Sequence, residues 1–196
     1  PARFSDSTRP ACCKYLASFR DYDNLLTVEP NNISQLEQVF EYADKHQLFI
    51  EAFFMEPVMG EGNPGEAITP AFYTRARELT REHGCLLLID SIQAGLRAQG
   101  VLSICDYPGF ENLEAPDMET YSKAMNGGQY PLSVLALNMS TAELYRAGVY
   151  GNTMTTNPRA LDIAVAVLNS ITPELRQNIR DRGREMFDKL TELQNE

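Results

Sequence analysis

CLLLIDSIQAG, residues Cys85–Gly95, decides the fold. Cys85 to Ile89 is an unbroken apolar run, too short for a helix and without the alternation of a half-solvated strand. It reads as a buried strand, the kind found in a parallel sheet covered on both faces. Asp90 ends that strand. In open α/β sheets, ligands bind beyond the carboxyl ends of the strands, so a carboxylate there is a candidate site residue.

Working backwards, Gly84 is a natural helix stop and Thr69-Pro70 a strong start, with a capping hydroxyl and proline at the first helical position. Phe72, Ala76 and Leu79 give the helix between them one apolar face. Leu48 to Met55 is a further strand candidate, ending at Glu56-Pro57 and a loop holding Gly60, Gly62, Pro64 and Gly65. Strand, helix, strand in this order predicts a right-handed crossover. Upstream, Asn32 and Gln35 form a candidate capping box for a helix over 33–46, with Ile33, Leu36, Val39, Phe40 and Ala43 at helical spacing. Residues 1–31 read as irregular.

Working forwards, 101–118 is loop-rich, and Met118–Tyr121 is a short strand leading to Ser122-Lys123. Ser133–Leu137 is another. Ser140 and Glu143 suggest a second capping box, opening a short helix to about Ala147. Asn157-Pro158 starts an apolar helix through Ile171, and Thr172-Pro173 an amphipathic one to the C-terminus.

The net charge of −10, from 17 basic and 27 acidic residues, opposes a nucleic-acid or anionic-membrane partner. No apolar run approaches the ~20 residues a bilayer requires. Cys12 and Cys13 are adjacent, Cys85 and Cys105 are distant, and the two histidines, His46 and His83, lack zinc-ligand spacing, so no metal is expected. The thiols fit a reduced, intracellular setting, cytoplasm or organelle matrix, with a targeting segment left open. A chain opening on Pro1 reads as a fragment or processed product.

Taken singly, Lys123 could be a solvated lysine, Asp90 a turn aspartate and Gln93 a turn glutamine. Four ordered segments change that. EPVMGEG (56–62), LLLIDSIQAG (86–95), PDMETYSKAMNGGQYPLS (116–133) and YGNTMTTNPRA (150–160) resemble, in order and spacing, motifs of the class III pyridoxal-phosphate (PLP) dependent aminotransferases, the ornithine and 4-aminobutyrate type with fold type I. The resemblance covers about Asn32 to the C-terminus.

It implies an α/β fold, a mostly parallel sheet with helices on both faces, of which this chain is the second half. Residues 32–171 would be part of the PLP-binding large domain, and 172–196 a helix leading to a small domain absent here. It implies that Lys123 carries PLP as a Schiff base and moves the substrate Cα proton. Asp90 would hold the pyridinium nitrogen protonated, Gln93 would touch the phenolic oxygen, Thr153 would reach a phosphate across a dimer interface, and Glu61 would gate the substrate carboxylate. The expected activity is transfer of an amino group from an amine or amino acid to a 2-oxo acid, by a homodimer with shared sites. The same cofactor chemistry also serves racemases, aminomutases and decarboxylases, and a non-catalytic fragment or assembly subunit stays open too. Departures leave the subfamily open: Ser91 stands where the motif has glutamate, Met59 where it has glutamine, Tyr150 where histidine is common, and Arg97 one place before the usual arginine.

Overall fold

The apolar run becomes strand β2, Leu86–Asp90, with Leu87 and Ile89 fully buried. Each such side chain contributes about 1.5–3 kcal/mol. In this computed structural model, residues 25–61, 63–147 and 157–195 are described. They fall into two compact units, 1–88 and 89–196, and the division lies inside β2.

In the first unit, helix α1 spans Ile33–His46 and buries Leu36, Phe40 and Ala43. The capping box expected at its start is only half formed. Asn32 Oδ1 accepts from the Gln35 N–H at 3.0 Å, but Gln35 Oε1 accepts from the Glu29 N–H at 2.6 Å. The Asn32 N–H already donates to the Glu29 carbonyl, so Gln35 has nothing to satisfy there. Strand β1 is Ala52–Met55, starting later than the apolar pattern suggests because Leu48 and Phe49 are exposed. Helix α2, Pro70–Glu82, is capped by Thr69, whose hydroxyl accepts from the Phe72 N–H at 3.2 Å. The Asn31 side chain ties the two helix starts together, donating to the Ala67 carbonyl at 3.0 Å and accepting from the Thr69 N–H at 2.7 Å.

The strands form one sheet in the order β1-β2-β3-β4, with β3 at Met118–Tyr121 and β4 at Val134–Leu137. β3 and β4 are antiparallel, Met118 facing Leu137 and Tyr121 facing Val134. β4 is thus an antiparallel strand at the end of the sheet. The connection 122–133 holds only a 3-10 turn, Lys123–Asn126, and without a crossover helix the chain must double back. Between β1 and β2, by contrast, α2 provides the crossover element.

Beyond β4 comes α3, Met139–Ala142, shorter than expected and capped differently. Asn138 is its N-cap, accepting from the Thr141 N–H at 2.8 Å, while the Ser140 hydroxyl donates to Asn138 instead of capping. Asp117 fixes that cap by accepting from the Asn138 amide at 2.9 Å. Helix α4 is Pro158–Ser170, capped by Asn157, and α5 is Pro173–Asn195. No residue of α5 is buried. Among the described residues no helix is long and apolar enough to cross a membrane.

The segment after β2 leaves no room for a side chain at two glycines. A Cβ on Gly95 would lie 2.7 Å from the Ser91 carbonyl oxygen. Gly100 has φ +70°, and a Cβ there would lie 2.8 Å from the Arg176 carbonyl oxygen, in the first turn of α5.

Candidate active site

Strand alternation sorts the ends of β2 and β3 onto two faces. Leu87, Ile89, Glu119 and Tyr121 are buried, whereas Asp90 and Thr120 are half-exposed. The strands are joined here by the Ser91 N–H, which donates to the Thr120 carbonyl at 3.0 Å.

On the half-exposed face, Asp90 Oδ1 accepts from the Ile92 N–H at 3.0 Å and the Thr120 hydroxyl at 3.3 Å. Those bonds are the turn-aspartate role that the residue could play anywhere. They use one oxygen, and Oδ2 stays available to a further donor. Three residues on, Gln93 Oε1 accepts from the Lys123 ammonium. The structure thus brings Asp90, Gln93 and Lys123, separated by up to 33 positions, to the ends of two neighbouring strands.

Lys123 is exposed and opens the 3-10 turn after β3 with φ +38°. A non-glycine residue there carries about 1 kcal/mol of strain, which persists only where surroundings impose it. Here they do: Met125, in the same turn, is buried with Tyr121 and Ala164 of α4, flanked by Leu102, Leu132 and Val134. The Ser122 hydroxyl donates to the Leu132 carbonyl and closes the loop behind the lysine.

Two further residues were expected at the site. Thr153, with Tyr150, lies outside the described residues. Glu61 belongs to the first unit and is exposed in the loop after β1. That loop is closed by the Val58–Ala67 bridge and by the Glu56 carboxylate, which accepts from the Gly60 N–H at 2.9 Å.

A residue not singled out by the sequence reading stands on the buried face. Glu119 is 4% exposed. Its Oε1 accepts from the Ser91 hydroxyl at 2.5 Å and the Ile104 N–H at 3.0 Å, and its Oε2 accepts from the Ser103 hydroxyl at 2.7 Å. Burial, and then the Glu119 charge, raise the Tyr121 phenol above its ordinary range, and the same two causes push Tyr107 up to about 12. Burial also raises the Cys105 thiol. The available signal was register: Glu119 shares its face with Tyr121, and a carboxylate there must be buried and supplied with donors.

With this geometry in view, the comparisons with known proteins decide the family. Aminotransferase class-III matches residues 13–196. The chain is 37% identical over 145 residues to the [LysW]-aminoadipate semialdehyde transaminase of Deinococcus radiodurans, covering 74% of this chain and 32% of that protein. It is 34% identical over 146 residues to the ornithine aminotransferase of Geobacillus sp., covering 74% and 35%. This chain belongs to the class-III aminotransferase family.

Among solved structures, the N-acetylornithine aminotransferase of Stenotrophomonas maltophilia superposes with a TM-score of 0.70 at 26% identity, over 87% of this class-III chain and 42% of that one. The chain spans about a third of the length of the curated relatives it matches. The cofactor of this family is pyridoxal phosphate, and the residues at the strand ends fit it. An exposed primary amine can bond an aldehyde carbon, and a carboxylate oxygen without a partner can meet a ring N–H.

Proposed function

We propose that this chain carries the covalent centre of a PLP-dependent transaminase, which moves an amino group from an amine or amino acid to a 2-oxo acid. The observation that supports this most is the convergence of Lys123, Gln93 and the free Oδ2 of Asp90 at the ends of β2 and β3. When bound, the cofactor supplies an aldehyde for the amine and a ring that takes up the electron pair left when the substrate Cα–H bond breaks.

The chain's own residues do the rest. Lys123 would be the attachment point for the aldehyde, and its Nζ, when free, would take up and return the proton of the substrate Cα. Its turn is held by Met125 and Ser122, so the amine works from a fixed base. Asp90 Oδ2 would hold the ring nitrogen protonated, and Oδ1 is occupied with holding the carboxylate in place. Gln93 orients the amine now and can donate to an oxygen of the cofactor when the amine is engaged. Glu61 is assigned to the entry of the substrate carboxylate.

The working unit is a homodimer with a two-fold axis, in which Thr153 of one chain serves the phosphate held by the other. The family motif over 150–158 supports that assignment. Residues 32–171 are assigned to the cofactor-binding domain, and the enzyme works inside the cell.

Borohydride reduction followed by peptide mapping tests the centre. The sequence has four lysines, Lys14, Lys45, Lys123 and Lys189, and the adduct should map to Lys123. An adduct on another lysine, or none, overturns the reading. Subunit mixing tests the dimer. Lys123→Ala and Thr153→Ala enzymes, each inactive, should recover part of the activity when subunits exchange. No recovery, with exchange demonstrated, overturns the shared site.

A further inference from the structure

The carboxylate missing at position 91 reappears one strand away. The family motif places glutamate directly after the aspartate, and here that residue is Ser91. Ser91 is 1% exposed, so any side chain at 91 enters the protein interior. The Glu119 carboxylate occupies that interior, with Oε1 2.5 Å from the Ser91 hydroxyl.

We propose that Glu119 is a positioning residue for Asp90, a buried carboxylate on β3 that holds the residue directly after it. This rests on the function proposed above.

Glu119 joins three segments. Through Ser91 it fixes the residue that follows Asp90. Through Ser103 and the Ile104 N–H it fixes the start of the 3-10 turn Ile104–Asp106. By its place in β3 it sets its neighbour Thr120, whose carbonyl takes the Ser91 N–H and whose hydroxyl reaches Asp90 Oδ1. The direction in which Asp90 Oδ2 points therefore depends on a carboxylate that the substrate never touches. Neutral donors hold that carboxylate: two hydroxyls and one amide, with the Tyr121 phenol also interacting with it. Take it away and all three lose their acceptor in the interior. Return one at position 91 and the same donors at 103 and 104 regain it, because a side chain there enters the same space.

The experiment uses the complete enzyme loaded with PLP, comparing wild type, Glu119→Gln, Glu119→Ala and the exchange Ser91→Glu with Glu119→Ala. Readouts are turnover, the pH midpoint of the cofactor absorbance, and the unfolding midpoint of the cofactor-free protein. Glu119→Gln keeps shape and an acceptor, so it should fold, bind PLP, lose about tenfold in kcat and shift the absorbance midpoint. Glu119→Ala should lose more and unfold earlier. The exchange should return kcat to within about threefold of wild type and restore both midpoints.

Two results overturn the proposal while leaving the function intact: a destabilised Glu119→Gln enzyme with unchanged kcat and absorbance midpoint, or an exchange variant no better than Glu119→Ala. If Glu119→Gln does not fold, the exchange decides alone, since recovery of folding and turnover supports the proposal and recovery of neither, or of folding only, overturns it. A wild-type enzyme without a Lys123 adduct overturns the function and this proposal together.

Discussion

The two faces at the ends of β2 and β3 use the same kinds of group in opposite ways. On the buried face, both Glu119 oxygens are taken, by Ser91, Ser103 and the Ile104 N–H. On the half-exposed face, one residue away along each strand, Asp90 uses one oxygen and keeps the other, and an exposed lysine donates to a glutamine. Folding free energy requires the first arrangement, because a buried polar group without a partner costs about 1–3 kcal/mol. The second gains nothing for folding, since solvent would satisfy those groups equally well. Unused hydrogen-bonding capacity on a rigid support is what a ligand can employ. The difference marks which face is built for stability and, under the proposed function, which for chemistry.

Glu119 apart, whose hydrogen bond reaches the residue after Asp90, the comparison breaks if mutations on either face have the other's effect. The largest expected effect is on the buried face. Leu87→Ala should cost about 3 kcal/mol, read as a lowered urea midpoint, with turnover per folded enzyme unchanged. A variant that folds normally but turns over slowly would erase the distinction.

Next comes the open face. Asp90→Asn keeps Oδ1 and its two donors but removes the charge, so the urea midpoint should stay within about 0.5 kcal/mol. Turnover should fall at least about a hundredfold, because a group that stabilises charge in the transition state contributes about 3 kcal/mol. Near-native turnover would remove Asp90 from the chemistry.

The smallest effect lies away from both faces, in the first unit. His83 Nδ1 meets the Leu79 carbonyl at 2.8 Å and Nε2 meets Asp44 at 3.1 Å, and these partners, in that order, raise the imidazole pKa. A raised folded pKa stabilises fully below the unfolded value, ~6.5, and the contribution fades as pH rises through the folded value. Asp44 is 66% exposed, so Asp44→Asn should cost at most about 0.5 kcal/mol at pH 5.5 and nothing measurable at pH 8.5. Equal losses at both pH values would show that charge plays no part there.

Local chemistry made much of this legible in the sequence. Thr69-Pro70 and Asn157-Pro158 carry their start signals within two residues, and both helices begin there. The run 85–89 and the segment 118–121 gave strands within a residue of expectation. What failed depended on partners distant in sequence or on competition for one donor. Asn138 caps α3 with help from Asp117, 21 positions away, and so defeated the Ser140 signal. Gln35 turned elsewhere because Asn32 was already served. Motif order singled out Lys123, Asp90 and Gln93, which the structure places at neighbouring strand ends. It did not single out Glu119, since its partner Ser91 is 28 positions away and no local pattern announces their meeting.

Gly95 and Gly100 carry a consequence for redirecting the proposed transaminase. Neither position can accept even a methyl group without displacing a backbone carbonyl, at Ser91 in one case and Arg176 in the other. In a saturation library, the segment directly after Asp90 would behave as a frozen block at those two sites. New substrate preferences must then be sought on other loops, while the block keeps the chemistry constant beneath them.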